Sequence, residues 1–93
     1  MILLADNSRP DPLADLRVYL EGFANELSAM PCVIGVGRLD THPAPSLDDY
    51  AEELARRHLV LPVLPVDVRR RQDVTLLIDT LLSQLEADLM EEH

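Results

Sequence analysis

Cys32-Val33-Ile34-Gly35-Val36-Gly37-Arg38-Leu39-Asp40 opens with an apolar run and ends in glycine, a cation, a spacer and a carboxylate. The run is too short for a helix and shows no polar alternation, so it reads as a strand over Cys32 to Val36 that is buried on both faces. Two comparable runs lie on either side of it in the chain, Ile2 to Ala5 and Val60 to Val66. Between and after the runs the apolar period lengthens. Leu13, Leu16, Leu20, Phe23, Ala24 and Leu27 line one face of a helix over 12–29, which starts with Asp11 as cap and Pro12 in the first position. Ser46 and Asp49 form a capping-box pair ahead of a second helix that buries Leu47, Tyr50, Ala51, Leu54 and Ala55 and ends near Arg56, Arg57 and His58. A third helix over 73–90, capped by Asp73, places Val74, Leu77, Ile78, Leu81, Leu85 and Leu89 on one side.

The order βαβαβα predicts an α/β fold with a three-stranded parallel sheet and right-handed helical crossovers. Pro62 and Pro65 have no amide hydrogen to give to a ladder, which puts the third strand at an edge. With 93 residues, one core serves the whole chain, and residues 1–93 form a single domain whose acidic end, 85–93, is expected to fray. The composition is 47% hydrophobic but only 3% aromatic, so that core is aliphatic.

Charge narrows the function. The formal net charge of −9 repels phosphate backbones and anionic membrane surfaces, so neither nucleic acid nor a membrane is an expected partner. All eight basic residues are arginine, which rules out any mechanism that requires a lysine, including the phosphate-binding lysine of a Walker loop. No apolar run approaches the ~20 residues of a membrane span, and MILLA followed by Asp6-Asn7-Ser8 lacks the pattern of a signal peptide. The single cysteine, Cys32, has no internal disulfide partner. A cytoplasmic location is the expectation.

Open parallel sheets bind ligands at the carboxyl ends of their strands, so the residues after each run are the candidates for chemistry. These are Asp6-Asn7-Ser8-Arg9, Gly35-Val36-Gly37-Arg38-Leu39-Asp40 and Val66-Asp67-Val68-Arg69-Arg70-Arg71. The Asp40 carboxylate can accept two hydrogen bonds from an N–H/NH₂ edge such as that of guanine, and the stem of Arg38 can cover a flat base. The same residues also satisfy a plain strand-to-helix loop with a solvated Arg and a turn Asp. Likewise, Arg69, Arg70 and Arg71 read either as an anion-binding turn or as a surface ion-pair cluster with Asp67 and Asp73. His42, His58 and His93 lack metal-ligand spacing, Cys32 reads as a small core residue, and Glu52 and Glu53 read as solvent-face charges.

The succession strand, Asp6-Asn7-Ser8-Arg9-Pro10-Asp11, helix, Val33-Ile34-Gly35-Val36-Gly37-Arg38-Leu39-Asp40, helix, Leu64-Pro65-Val66-Asp67-Val68-Arg69-Arg70, helix resembles the second half of a Ras-like small GTPase domain. It is closest to the bacterial branch of ATP/GTP-binding proteins that includes the gliding-motility GTPases. By that resemblance Gly37, Arg38 and Asp40 take the first, second and fourth positions of the family's Asn/Thr-Lys-x-Asp motif, and Asp67, Val68 and Arg69 fall at its Ser-Ala-Lys/Leu segment. Only Asp40 keeps the family residue. The resemblance implies a partial GTP-binding module that keeps a base-recognition edge for GDP or GTP. A non-nucleotide interaction module on the same scaffold is the alternative.

There is no G-x-x-x-x-G-K-[ST] loop, so GTP hydrolysis by this chain alone is not expected. In the family the strand equivalent to Ile2, Leu3, Leu4 and Ala5 is interior. Here its free edge is expected to join a second copy of the chain or a separate protein partner, together with apolar surface on the flanking helices.

Overall fold

The computed structural model describes residues 1–91 and the side chains of residues 1–87. Three strands and four helices alternate in the order β1 (Ile2–Asp6), α1 (Pro12–Gly22), α2 (Ala24–Ala29), β2 (Val33–Gly37), α3 (Leu47–Ala55), β3 (Val63–Pro65) and α4 (Arg71–Glu91). The sheet is parallel throughout, in the order β1-β2-β3, with Leu4 opposite Gly35 and Gly35 opposite Leu64. The expected α/β class and three-stranded parallel sheet are therefore present. No helix among the described residues is long and apolar enough to cross a membrane.

Strand alternation sends the two sets of side chains to different layers. Leu3, Cys32, Ile34 and Val36 pack with Leu16 and Leu20 of α1, Leu27 of α2, and Tyr50 and Leu54 of α3. On the opposite face Val33 and Val66 pack with Leu77 of α4, backed by the half-buried Leu64. The first face carries most of the core, while α4 alone covers the second.

The helix expected over 12–29 is divided at Phe23, whose φ of −111° and ψ of 23° leave the helical region. Gly22 lies at the bend and has the weakest helix propensity after proline, about 1 kcal/mol below alanine. The Phe23 amide still donates to the Tyr19 carbonyl at 2.9 Å, and the Leu27 amide to the Phe23 carbonyl at 2.8 Å, so the chain turns without losing these bonds. Phe23 and Ala24, expected inside, are exposed. In α3 the capping box forms as expected, but Ala51 and Ala55 face outward and Glu53 is buried instead. Two flanking arginines compensate that carboxylate. Arg17 Nε of α1 donates to Oε1 at 2.8 Å and Arg56 Nη1 to Oε2 at 3.2 Å.

The third strand is shorter than Val60 to Val66: Pro62, whose carbonyl accepts the Ile34 amide, has no amide hydrogen to give to the ladder in return, and pairing covers Val63–Pro65, with the Val66 amide donating to the Val36 carbonyl at 2.9 Å. Val60 is almost fully exposed. β3 is an edge as expected, and β1 is the other. The last helix begins at Arg71 and not at Asp73. Of its expected buried side only Leu77 is buried; Val74 and Leu81 are half-buried, and Ile78 and Leu85 are exposed. A single helix over an open three-stranded face has no second element to cover its flank. The Leu89 side chain lies outside those described. The expected fraying of 85–93 falls in part on 92–93, also outside the described residues, while α4 continues to Glu91.

Gly35 sets how closely α4 approaches the sheet. A Cβ there would stand 2.9 Å from Val66 Cγ1, 3.1 Å from Leu4 Cδ2 and 3.2 Å from Leu77 Cδ1. Gly35→Ala is expected to destabilise the fold by about 1–3 kcal/mol, the usual effect of overpacking, as measured by the urea midpoint at unchanged slope.

Candidate functional site

All three strands end at the same edge, and the loops that follow them surround a cleft of about 500 Å³ lined by Asp6, Arg38, Asp40, Asp67, Arg69 and Asp73 among others. The candidate residues Gly37, Arg38, Asp40, Asp67, Val68 and Arg69 therefore come together here. Burial of alternate residues ends at the strand termini, which leaves polar side chains free to turn toward the cleft.

The loop after β2 supplies the centre of the site. Gly37 closes the strand, and its carbonyl accepts the Asn7 amide at 3.0 Å. Arg38 takes a left-handed backbone with φ of 68°, a region that costs a residue with a Cβ about 1–2 kcal/mol. The neighbouring Gly37 does not adopt it. This conformation aims the Arg38 carbonyl back at the loop, where it accepts the His42 amide at 2.7 Å. Asp40 is exposed; its Oδ1 accepts the Thr41 amide at 3.0 Å, and its Oδ2 has no partner among the described residues.

The loop after β3 is organised from within. Asp67 Oδ1 accepts from the Arg69 amide at 2.9 Å and from Arg69 Nε at 3.0 Å, while Oδ2 accepts Arg69 Nη2 at 3.0 Å. These hydrogen bonds hold the Asp67 carboxyl down at about 2. Asp73 accepts the Asp67 amide through Oδ2 at 2.9 Å. It thereby closes the loop instead of capping α4 as the sequence suggests. Asp67 and Arg69 form a wall of the cleft with their charges matched, and Val68 is exposed beside them. Asp67 has both carboxylate oxygens engaged, whereas Asp40, like Asp6 and Asp73, keeps one oxygen without a partner among the described residues.

On the β1 side, the hydroxyl and amide of Ser8 hydrogen-bond Asp6 Oδ1 and hold its carboxyl below the usual range, with Arg38 and Arg9 adding to the effect. Among the described residues no group of three or more side chains is placed to hold a metal ion. Cys32 is fully buried, and burial pushes its thiol up, away from nucleophilic chemistry.

Sequence reasoning gave no role to the residue that holds the loops in place. Asn7 is buried, and its Nδ2 donates at 2.8 Å both to the His42 carbonyl and to the Pro45 carbonyl. Its Oδ1 accepts the Tyr50 hydroxyl at 2.6 Å. Burial pushes the Tyr50 hydroxyl up to about 12, so it remains a donor at every physiological pH. One amide thus joins β1, the loop after β2, and α3. The only signal in the sequence is an Asn directly after a strand, which reads equally well as a turn residue.

Compared with protein-family models, with curated proteins and with solved structures, the chain matches none.

Asn7→Ala leaves two carbonyls and a buried hydroxyl without partners, and is expected to lower stability by about 2 kcal/mol or more in chemical denaturation. The Asp67 pair has a defined pH dependence. Because the folded carboxyl titrates near 2 and the free one near 3.8, its contribution is complete above about pH 4 and is lost as pH falls through 2. The gap in thermal midpoint between the wild-type chain and Asp67→Asn is expected to shrink between pH 4 and pH 2.

Proposed function

We propose that this chain is a non-catalytic binding module whose sheet edge takes the base of a guanine nucleoside. The observation that carries the reading is the open Oδ2 of Asp40, next to Arg38 and the ordered Asp67–Arg69 turn at one cleft. A carboxylate with a free lone-pair site is complementary to the N–H/NH₂ edge of guanine and repels the acceptor edge that adenine offers in the same place. The aliphatic stem of Arg38 provides a cover for the flat ring.

Phosphate has little to gain here. The cleft carries Asp6, Asp40, Asp67 and Asp73 against Arg38, Arg69 and Arg70, and the carboxylates outnumber the guanidinium groups. The first turn of α1, the usual place for a phosphate on a helix, is already capped by the Asp11 carboxylate, which accepts the Ala14 amide at 3.1 Å. The ligand class that fits is therefore the nucleoside portion, with GDP and GTP binding through their base. A second reading, an interaction module on the same scaffold, draws its support from the uncovered apolar surface of β1 and α4.

Calorimetric titration separates these readings. Guanosine and GDP are expected to bind within about threefold of one another and adenosine about tenfold more weakly, a gap of about 1.4 kcal/mol. Asp40→Asn, which places an amide donor against the guanine edge, is expected to erase that preference. An absence of saturable guanosine binding at millimolar concentration, or an unchanged preference in Asp40→Asn, overturns the proposal.

A further inference from the structure

The free edge of β1 and the uncovered flank of α4 lie on the same side of the molecule. Across the β1–β2 ladder the Val33 amide donates to the Met1 carbonyl and the Asn7 amide to the Gly37 carbonyl, both at 3.0 Å. Odd residues of β1 therefore serve the internal ladder, and the alternation of a parallel pair turns the backbone groups of Ile2, Leu4 and Asp6 outward. The side chains of Ile2 and Leu4 stand on the α4 face and are 36% and 51% exposed. On α4, Ile78, Leu82 and Leu85 form a further exposed stripe. Ala87 is nine residues beyond Ile78, half a turn out of phase at 3.6 residues per turn, and it lies beside Val60 and Leu61 ahead of β3. The Ile78 stripe is consequently on the β1 side.

Natural edge strands are commonly blunted by lysine, proline or a bulge. Ile2-Leu3-Leu4-Ala5-Asp6 has none of these, whereas Pro65 removes an amide from the outer edge of β3. The surface area points the same way. The chain exposes 6284 Å², against about 5,400 Å² for a compact monomer of its mass. The excess of roughly 900 Å² is close to the ~800 Å² that each partner contributes to a standard interface.

We propose that a second copy of this chain pairs antiparallel with β1 about a two-fold axis through Leu4, burying the α4 stripes of both copies. In that register Leu4 faces the partner's Leu4, and Ile2 faces the partner's Asp6. Each outward amide of Ile2, Leu4 and Asp6 then meets an outward carbonyl, the pattern of an antiparallel ladder. The axis is perpendicular to the sheet, so both α4 helices lie on one face of a six-stranded sheet. They stand about three strand spacings, or about 14 Å, apart and wall in the paired leucines. Association ends at two copies because the remaining edges are the proline-bearing β3 strands. Apart from Asp6 at the end of the pairing, the patch residues are uncharged, but each copy carries a net charge of −9, so the association is expected to strengthen as salt screens the repulsion.

Sedimentation of the full chain over a micromolar to millimolar range, at low and high sodium chloride, tests this. The expected result is a concentration-dependent rise in mass from 10.4 kDa to twice that value, shifted to at least about threefold lower concentration at high salt. Hydrogen exchange is expected to show the Ile2, Leu4 and Asp6 amides protected only where the dimer forms. Leu4→Pro removes an outward amide without touching the internal ladder, and Leu82→Lys charges the stripe. Each is expected to raise the dissociation constant at least about tenfold while leaving the circular dichroism of the monomer intact. A monomer at every concentration overturns the proposal, as does open-ended aggregation, a dimer that salt weakens, or a dimer indifferent to both variants. Pairing of an otherwise monomeric chain with an added Arg-rich strand peptide also overturns it, in favour of a basic partner. Where one variant fails to fold, the exchange pattern of the wild-type chain decides.

Discussion

The buried amide of Asn7 is the constraint on which the loop architecture rests. Its backbone continues the β1–β2 ladder past the end of the strand, and its side chain holds two carbonyls of the loop after β2 and the Tyr50 hydroxyl. Both amide hydrogens and the oxygen are used, so the group is satisfied in one geometry only. That geometry fixes the path from Gly37 to Ser46 and therefore the height at which Arg38 and Asp40 stand above the sheet. The left-handed backbone of Arg38 belongs to the same arrangement, since its carbonyl must turn inward to meet the His42 amide.

The two faces of the sheet are built to different standards. On the α1–α3 face, Leu16, Ile34, Val36, Tyr50 and Leu54 are essentially inaccessible, and the carboxylate that this packing buries is answered by Arg17 and Arg56. Hydrogen bonding to Arg17 keeps the Glu53 carboxyl ionised, below its ordinary range, despite its burial. On the other face, Gly35 admits α4 to close range over the middle strand, and close packing ends there. The strand-end edge is thus backed by a well-filled layer, while the adjacent face is left partly apolar.

The candidate site depends on this division. Its floor is the terminus of a sheet whose α1–α3 face is largely buried, and the Gly37 to Asp40 loop stands on it. The Asp67–Arg69 turn satisfies itself through three hydrogen bonds to one carboxylate, so it presents a preorganised wall with little unpaired charge. Asp40 differs because half of its carboxylate is left unpaired.

Apart from the break at Phe23 that divides the first helix, the amino-acid sequence by itself determined the element types, their order and the parallel sheet. Continuous apolar runs, the Ser46–Asp49 box, Asp11 before Pro12, and the prolines of the third run are local signals that act through backbone hydrogen bonding and torsion. Strand polarity likewise brought Gly37, Arg38, Asp40, Asp67, Val68 and Arg69 to one edge, because parallel strands end together. Tertiary structure alone decided which polar groups were consumed. Asn7 and Glu53 are unremarkable in sequence, and the side-chain partners of Asn7 and the Arg17 partner of Glu53 lie 35 to 43 residues away, a relation that no local pattern encodes. The exposure of Ile78, Leu82 and Leu85 was settled in the same way. Periodicity gives a helix an apolar side, but whether that side is covered depends on how many elements the fold brings to it, and here α4 meets the sheet alone.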